Sequence, residues 1–279
     1  MGSATWKQGV VSFFASWRGA GPLDGFFGSL HESILWLYAV SHPIISVTYG
    51  TDRLDGARKS KRPHESEYGK SSHVEVEIIR LAREFFQVDA LKLARRLIGC
   101  MLVHDSPEGT TAGIIVETEA YRGPLDRAAH SYRRRRTPRN EAMYGPAGHA
   151  YIYLIYGMHE CFNVVCGEIG HPEAVLVRAL EPTRGLALMA QRRGLDVKQR
   201  GFERKLCSGP GKLTQAMGIN RKLHYGIDLC GDLLYIESGV RFADHEVATT
   251  PRINVDYAGE WALLPWRFIV KDSTYLSRK

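Results

Sequence analysis

The strand-like runs of this chain come in neighbouring pairs separated by short turns, and this pairing limits its fold more than any other feature. Residues 100–103 and 111–121 read as two strands around the turn Ser106-Pro107-Glu108-Gly109. Residues 151–156 and 161–165 read as a second hairpin around Gly157. Residues 174–180 form a short, wholly apolar run apart from Arg178, the pattern of a buried strand. Residues 233–236, 253–255 and 267–270 supply further strands. Helical spacing covers 74–85, where Val74, Ile78, Ile79, Leu81 and Phe85 recur, and 91–98, which Gly99 stops. Residues 183–193 and 213–217 also read as helices. Hairpins without regular βαβ units predict an α+β class: a single domain with a curved, mainly antiparallel sheet flanked by helices.

Residues 1–75 differ from the rest and predict an N-terminal extension, partly disordered, ahead of a folded domain over 76–279. The first 28 residues are rich in Gly, Ser, Phe and Trp without a period, and 52–72 are polar with Arg53, Arg58, Lys59, Lys61 and Arg62. The basic run reads as a solvated linker, with a DNA-contacting arm or a nuclear import signal as alternatives. The longest apolar stretch, 34–49, is interrupted by His42 and Pro43 and is too short to span a bilayer. No secretory signal pattern opens the chain.

A net charge of +7 favours acidic partners, nucleic acid first and anionic membrane second. The five cysteines are odd in number and form no CxxC pair, which argues against a disulfide framework. His159, Cys161 and Cys166 lie close together, but no second cluster has the spacing of a zinc site.

Four segments can carry chemistry. In the strand 114–121, side chains alternate, so Glu117, Glu119 and Tyr121 share one face. A carboxylate at such a strand end, half removed from water, can serve as a general base. The same pattern also fits an edge strand with solvated glutamates, a metal site, or the carboxylate pair of a sugar hydrolase. Next, His130 precedes a run in which six arginines occupy the span from Arg127 to Arg139, among them Arg135, Arg136 and Arg139. Nearby acids compensate them poorly, so the run fits a loop facing phosphates. Tyr151, Tyr153 and Tyr156 suit base stacking, and Tyr156 at a hairpin tip can wedge between base pairs. Asn163 and Arg178, on following strands, can face the same cleft. Finally, at 206–212, Ser208 reads as an N-cap and Pro210 as a first-turn residue, so that backbone N–H groups and Lys212 face an anion. The Walker spacing is absent.

Together these segments resemble the alkyladenine (3-methyladenine) DNA glycosylase family, over about 85–270. The resemblance rests on VETEAY at 116–121, AAHS at 128–131, TPRN at 137–140, YLIYGM at 153–158, VRALEP at 177–182 and CSGPGK at 207–212, in the family's order and with similar gaps. It implies a fold like the C-terminal domain of formyltransferases. It implies that Glu119 is the general base and that Arg178 helps hold the attacking water beside the sugar phosphate. Tyr121, Ala128, His130 and Tyr153 would line the pocket for the extruded base. Asn163 would disfavour the amino group of normal guanine. Tyr156, with Met158 beside it, would fill the vacated space in the duplex, and Arg135, Arg136, Arg139 and Lys212 would bind the DNA backbone.

The implied substrates are 3-methyladenine, 7-methylguanine, hypoxanthine and ethenoadenine in double-stranded DNA, removed without cofactor or metal. The implied actor is a monomer of the cytoplasm and nucleoid, with the nucleus as alternative. Two positions depart from the family. Glu160 places a negative charge near the DNA, and Asn254 stands where members commonly have glycine, in a segment, 252–255, that by the resemblance helps line the water site. Two other readings compete: a non-catalytic nucleic-acid-binding module, and a metal-dependent nuclease built on Glu117 and Glu119.

Overall fold

Thirteen residues of one strand, Gly109–Tyr121 (β2), organise the sheet, and each side of it has its own partners. The computed structural model describes residues 79–278. The expectations for the extension, its basic run and its apolar stretch therefore lie outside the described residues. On one side β2 pairs with Glu173–Arg184 (β5) along its length. On the other it pairs first with Met101–Ser106 (β1) and then with Arg267–Val270 (β8). Ala150–Ile155 (β3) and His159–Cys166 (β4) extend the sheet beyond β5. Leu234–Glu237 (β6) pairs with β1, and Val247–Thr250 (β7) pairs with β8. All these pairings are antiparallel, and with the helices they make an α+β fold, as the hairpin pattern predicts.

The helices are Arg83–Phe86 (α1), Ala90–Leu97 (α2), Leu186–Arg193 (α3), Glu203–Leu206 (α4), Pro210–Met217 (α5) and Arg221–His224 (α6). In α2 the buried residues Ala90, Leu93, Ala94 and Leu97 fall on one stripe at helical spacing. The Asp89 side chain accepts the N–H groups of Leu91 and Lys92 and so caps the first turn. This stripe lies on the sheet's inner face, where Thr118 donates its hydroxyl to the Ala94 carbonyl at 2.9 Å. Phe86, Ile115, Ile152, Phe162, Leu180, Met189 and Leu213 complete the core there.

Three sequence expectations are corrected. Residues 79–82 are not helical, because Arg80 bridges to Glu237 and adds to the β6 edge. The strand β5 runs on to Arg184, so helix α3 begins at Leu186 and not at 183. Residues 253–255 form a turn, with Asn254 at φ 58°, and the strand of that region is β7. Among the described residues, no helix is long and apolar enough to cross a membrane. All five cysteines are unpaired.

Candidate active site

Sheet register places the chemistry in one row. Tyr151 of β3 opposes Asn163 of β4, Asn163 opposes Leu176 of β5, Leu176 opposes Glu119 of β2, and Glu119 opposes Arg267 of β8. Directly opposed residues share a face of an antiparallel sheet. Two irregularities in the pairing of β2 and β5 flank Arg178. Between Ile115↔Leu180 and Glu117↔Ala179 the strand β2 carries an additional residue, Val116. Between Glu117↔Ala179 and Thr118↔Val177 it is β5 that carries one, Arg178. The extra residue on one strand offsets that on the other, so the register on either side is kept. Alternation along β5 keeps Arg178 on the face of Leu176, and its guanidinium there meets both Glu117 and Glu119.

Glu119 is fully buried, not half-desolvated as its strand-end position predicts. The reading of a solvated edge strand also fails, because β2 is paired on both sides. One carboxylate oxygen, Oε1, accepts the Ile253 N–H at 2.8 Å and lies 3.3 Å from Arg178 Nη1. The other, Oε2, accepts the Tyr121 hydroxyl at 2.9 Å. Glu117 is equally buried and differently engaged. Its Oε1 accepts Arg178 Nε at 3.0 Å, Arg267 Nε at 2.8 Å and the Ser277 hydroxyl at 2.7 Å. Its Oε2 accepts the Ser277 N–H at 2.6 Å. A carboxylate committed to two guanidiniums is a poor ligand for a cation, which weakens the nuclease reading.

Beside Glu119 lies a cleft of about 720 Å³, within the usual range for a small-ligand site. Tyr121, Ala128, His130, Tyr153, Asn163 and Arg178 all line it. His130 Nδ1 shares a hydrogen bond of 2.8 Å with the Tyr151 hydroxyl, and its ring meets Tyr153 edge-on at 4.6 Å. Burial, with Arg139 and Arg135 nearby, pushes the imidazole pKa down to about 4, so the ring is neutral at pH 7. Burial, followed by the charge of Glu119, pushes the Tyr121 phenol up, so it remains a donor. Asn163 Nδ2 donates to the Tyr151 carbonyl at 3.0 Å, which fixes the amide at the cleft wall.

Tyr156 stands at the tip of the β3–β4 hairpin, 72% exposed, and also borders the cleft. Tyr156 and Gly157 have φ of 53° and 70°, and the Met158 N–H donates to the Ile155 carbonyl. Positive φ at both central residues matches the tight hairpin turn whose twist suits flanking strands. Met158 is 73% exposed and opens onto an adjoining hollow, not onto the cleft. Lys212, in the first turn of α5, borders the cleft. The N-cap there is Gly209, not Ser208, because Ser208 is held in a bridge to Ala179.

The arginine loop divides. Arg139 reaches the cleft, donates to the Leu154 carbonyl at 2.9 Å and lies over Tyr153. Arg135 and Arg136 are exposed and lie outside the cleft lining. Arg136 pairs with Glu141, so its compensation is better than the sequence predicts. The departure at Glu160 has a local cause: Oε1 accepts the Arg221 N–H at 2.7 Å and caps α6. Asn254 is exposed in the left-handed region, where asparagine is the residue best tolerated after glycine.

The resemblance already points to the segment 252–255, but the partners of its residues, and several other neighbours of the site, escaped the sequence reading. Arg252 and Asp126 form an ion pair buried on both sides, and Arg252 lies 4.7 Å from the Tyr121 ring centroid. Ile253, Ser277 and Tyr257 also contribute, Tyr257 donating its hydroxyl to the Ala128 carbonyl at 3.2 Å. Asp126 carried a readable signal, since its side chain accepts the Ala128 N–H two residues on. The long-range partners carried none.

Comparison with known proteins points one way. The profile of the methylpurine-DNA glycosylase family matches residues 84–274. A protein of Desulfitobacterium hafniense, provisionally named a 3-methyladenine DNA glycosylase, is 47% identical over 203 residues, covering 72% of this chain and 99% of its own. Proteins with the same name from Bacillus licheniformis and Clostridium acetobutylicum are 48% and 46% identical. These alignments cover 71% of this chain and 96% and 98% of the relatives.

Proposed function

The chain belongs to the methylpurine-DNA glycosylase family, and on that premise we propose that it hydrolyses the N-glycosidic bond of damaged purines in duplex DNA with a Glu119-activated water. Membership makes it a hydrolase acting on DNA, which removes the non-catalytic binding module from consideration.

One observation carries it: Glu119 is enclosed against an aromatic cleft while its oxygens meet Arg178, the Ile253 N–H and the Tyr121 hydroxyl. A glycosidic carbon inside a duplex is out of reach, so the nucleotide must be extruded, and a damaged base costs less to unstack. The extruded base enters between Tyr121 on one side and His130 and Tyr153 on the other. Alkylated purines carry positive charge, which the faces of these rings attract. Neutral His130 adds no repelling charge. As the bond breaks, positive charge develops on the sugar, and the Glu119 carboxylate stabilises it while taking a proton from water. Arg178 steadies that water and the neighbouring phosphate. Asn163 disfavours the extra amino group of guanine.

Tyr156 fills the space left in the duplex, with Met158 at its side. Lys212, Arg139, Arg135 and Arg136 bind the backbone. The enzyme acts as a monomer on the DNA of the cytoplasm. The test is release of free base from duplexes carrying 3-methyladenine, 7-methylguanine, hypoxanthine or ethenoadenine, with chelator present. Release from none of the four would reject the substrate class, and strand scission that chelator abolishes would favour the nuclease.

A further inference from the structure

The guanidinium of Arg178 is held from behind. Its Nε donates to Glu117 Oε1 at 3.0 Å. Nε and Nη2 also reach the Ser277 hydroxyl oxygen, at 3.3 and 3.2 Å. Its remaining nitrogen, Nη1, is the one beside Glu119, at 3.3 Å. A guanidinium is planar, so anchoring one edge fixes both its plane and the direction of the free nitrogen. Ser277 in turn donates its hydroxyl and its N–H to the two oxygens of Glu117. Arg267 holds Glu117 from the other side and donates to the Arg278 carbonyl, which ties the 277–278 segment to the same cluster.

From these contacts we infer that Glu117 and Ser277 are positioning residues of the catalytic centre, setting which edge of Arg178 faces Glu119. The inference rests on the assignment of Glu119 and Arg178 to the reaction. Charge supports it. Glu117 and Glu119 balance Arg178 and Arg267 in a buried group. With Glu117 neutralised, Glu119 is the carboxylate left for Arg178 among the described residues. Arg178 would then turn its full fork onto the oxygens that must receive water. Ser277 lies 160 positions from Glu117 in sequence and on no strand, so this contact is invisible to motif reading.

The experiment measures single-turnover release of hypoxanthine from a duplex, together with duplex affinity and Tm, for wild type, Glu119→Gln, Glu117→Gln, Ser277→Ala and Ser277→Thr. Release by wild type and its loss in Glu119→Gln establish the underlying reading, and failure of either overturns that reading alone. Given both, Glu117→Gln is expected to lower the rate at least about 10-fold with affinity changed less than about 3-fold, since small misplacements of a reacting group are costly. Ser277→Ala is expected to lower the rate about 5-fold at unaltered Tm, and Ser277→Thr to restore it. Should Glu117→Gln not fold, the serine pair decides. Wild-type rates in Ser277→Ala, or a loss that tracks Tm and is not rescued by threonine, would overturn the positioning role.

Discussion

Arg252 grips Asp126 through two parallel hydrogen bonds, Nη1 to Oδ2 at 2.5 Å and Nη2 to Oδ1 at 2.9 Å, with both side chains closed to solvent. The pair lies beneath Tyr121, and residue 253, next in sequence, supplies the N–H that holds Glu119. The buried pair and the proposed catalytic carboxylate therefore share one segment of chain. Removing one member of a buried pair strands a charge, at a cost of about 3–5 kcal/mol. Arg252→Met should show that loss in denaturant melts. Combining it with Asp126→Leu should recover more than half, and a purely additive double variant would contradict the account.

Backbone conformation governs position 254. Asn254→Gly keeps access to φ 58°, so base release should stay within about 3-fold of wild type. Asn254→Val is β-branched and should lose about 1–2 kcal/mol of stability, with slower release, because the strain sits beside the amide that holds Glu119. Equal melting temperatures for glycine and valine variants would remove this explanation.

Acid should destabilise the fold through its histidines. His104 Nδ1 meets the Met217 carbonyl at 2.7 Å, so it donates. His104 Nε2 then accepts from His224 Nε2 at 3.2 Å, and His224 Nδ1 accepts the Asn220 N–H at 3.1 Å. An added proton on His104 Nε2 sets N–H against N–H at this contact, whereas one on His224 Nδ1 meets the Asn220 carbonyl at 3.1 Å. Burial first, then for His104 the neighbouring His224 and Arg192, lowers both pKa values from 6.5, and His130 is lowered to about 4. The unfolded chain thus binds more protons below pH 6.5, and stability falls as pH drops through that window towards 4. Tm at pH 5 should lie at least about 2–4 °C below that at pH 7.5, the equivalent of one kcal/mol for a domain of this size. His104→Asn should flatten the dependence, and an unchanged slope would count against the histidines.

An exposed aromatic at a hairpin tip has one use in the proposed cycle. Tyr156→Ala should weaken binding to a lesion in duplex DNA by about 5- to 150-fold, the worth of about 1–3 kcal/mol of stacking. Binding to the same lesion in a single strand should change far less. Equal losses on both substrates would assign Tyr156 to general contact and not to filling the duplex.

Much of this architecture is legible in order of residues, because strand alternation and tight turns are local. Period two places Glu117, Glu119 and Tyr121 on one face, and Gly157 marks the hairpin that carries Tyr156. The apolar stripe of α2 was legible for the same reason. What stayed hidden depends on register. Alternation puts Arg178 on the face of Leu176, but only the pairing of β5 with β2 sets it against Glu117 and Glu119, and no local pattern announces that register. Ser277, Arg267 and Arg252 meet their partners across 160, 150 and 126 positions, where spacing carries no signal. The misplaced strand at 253–255 has a similar cause: a turn that presents an amide to Glu119 reads, by composition, as a β-run.

In the proposed reaction Glu119 takes the proton that leaves the attacking water. Glu119→Gln keeps size and much of the hydrogen bonding but cannot take that proton. Paired measurements of base release and duplex binding on a hypoxanthine-bearing substrate isolate this difference. The account predicts release lowered by about 10²–10⁴-fold, the range for loss of a general base, with binding within about 3-fold of wild type. Release at the wild-type rate, with binding intact, would contradict it.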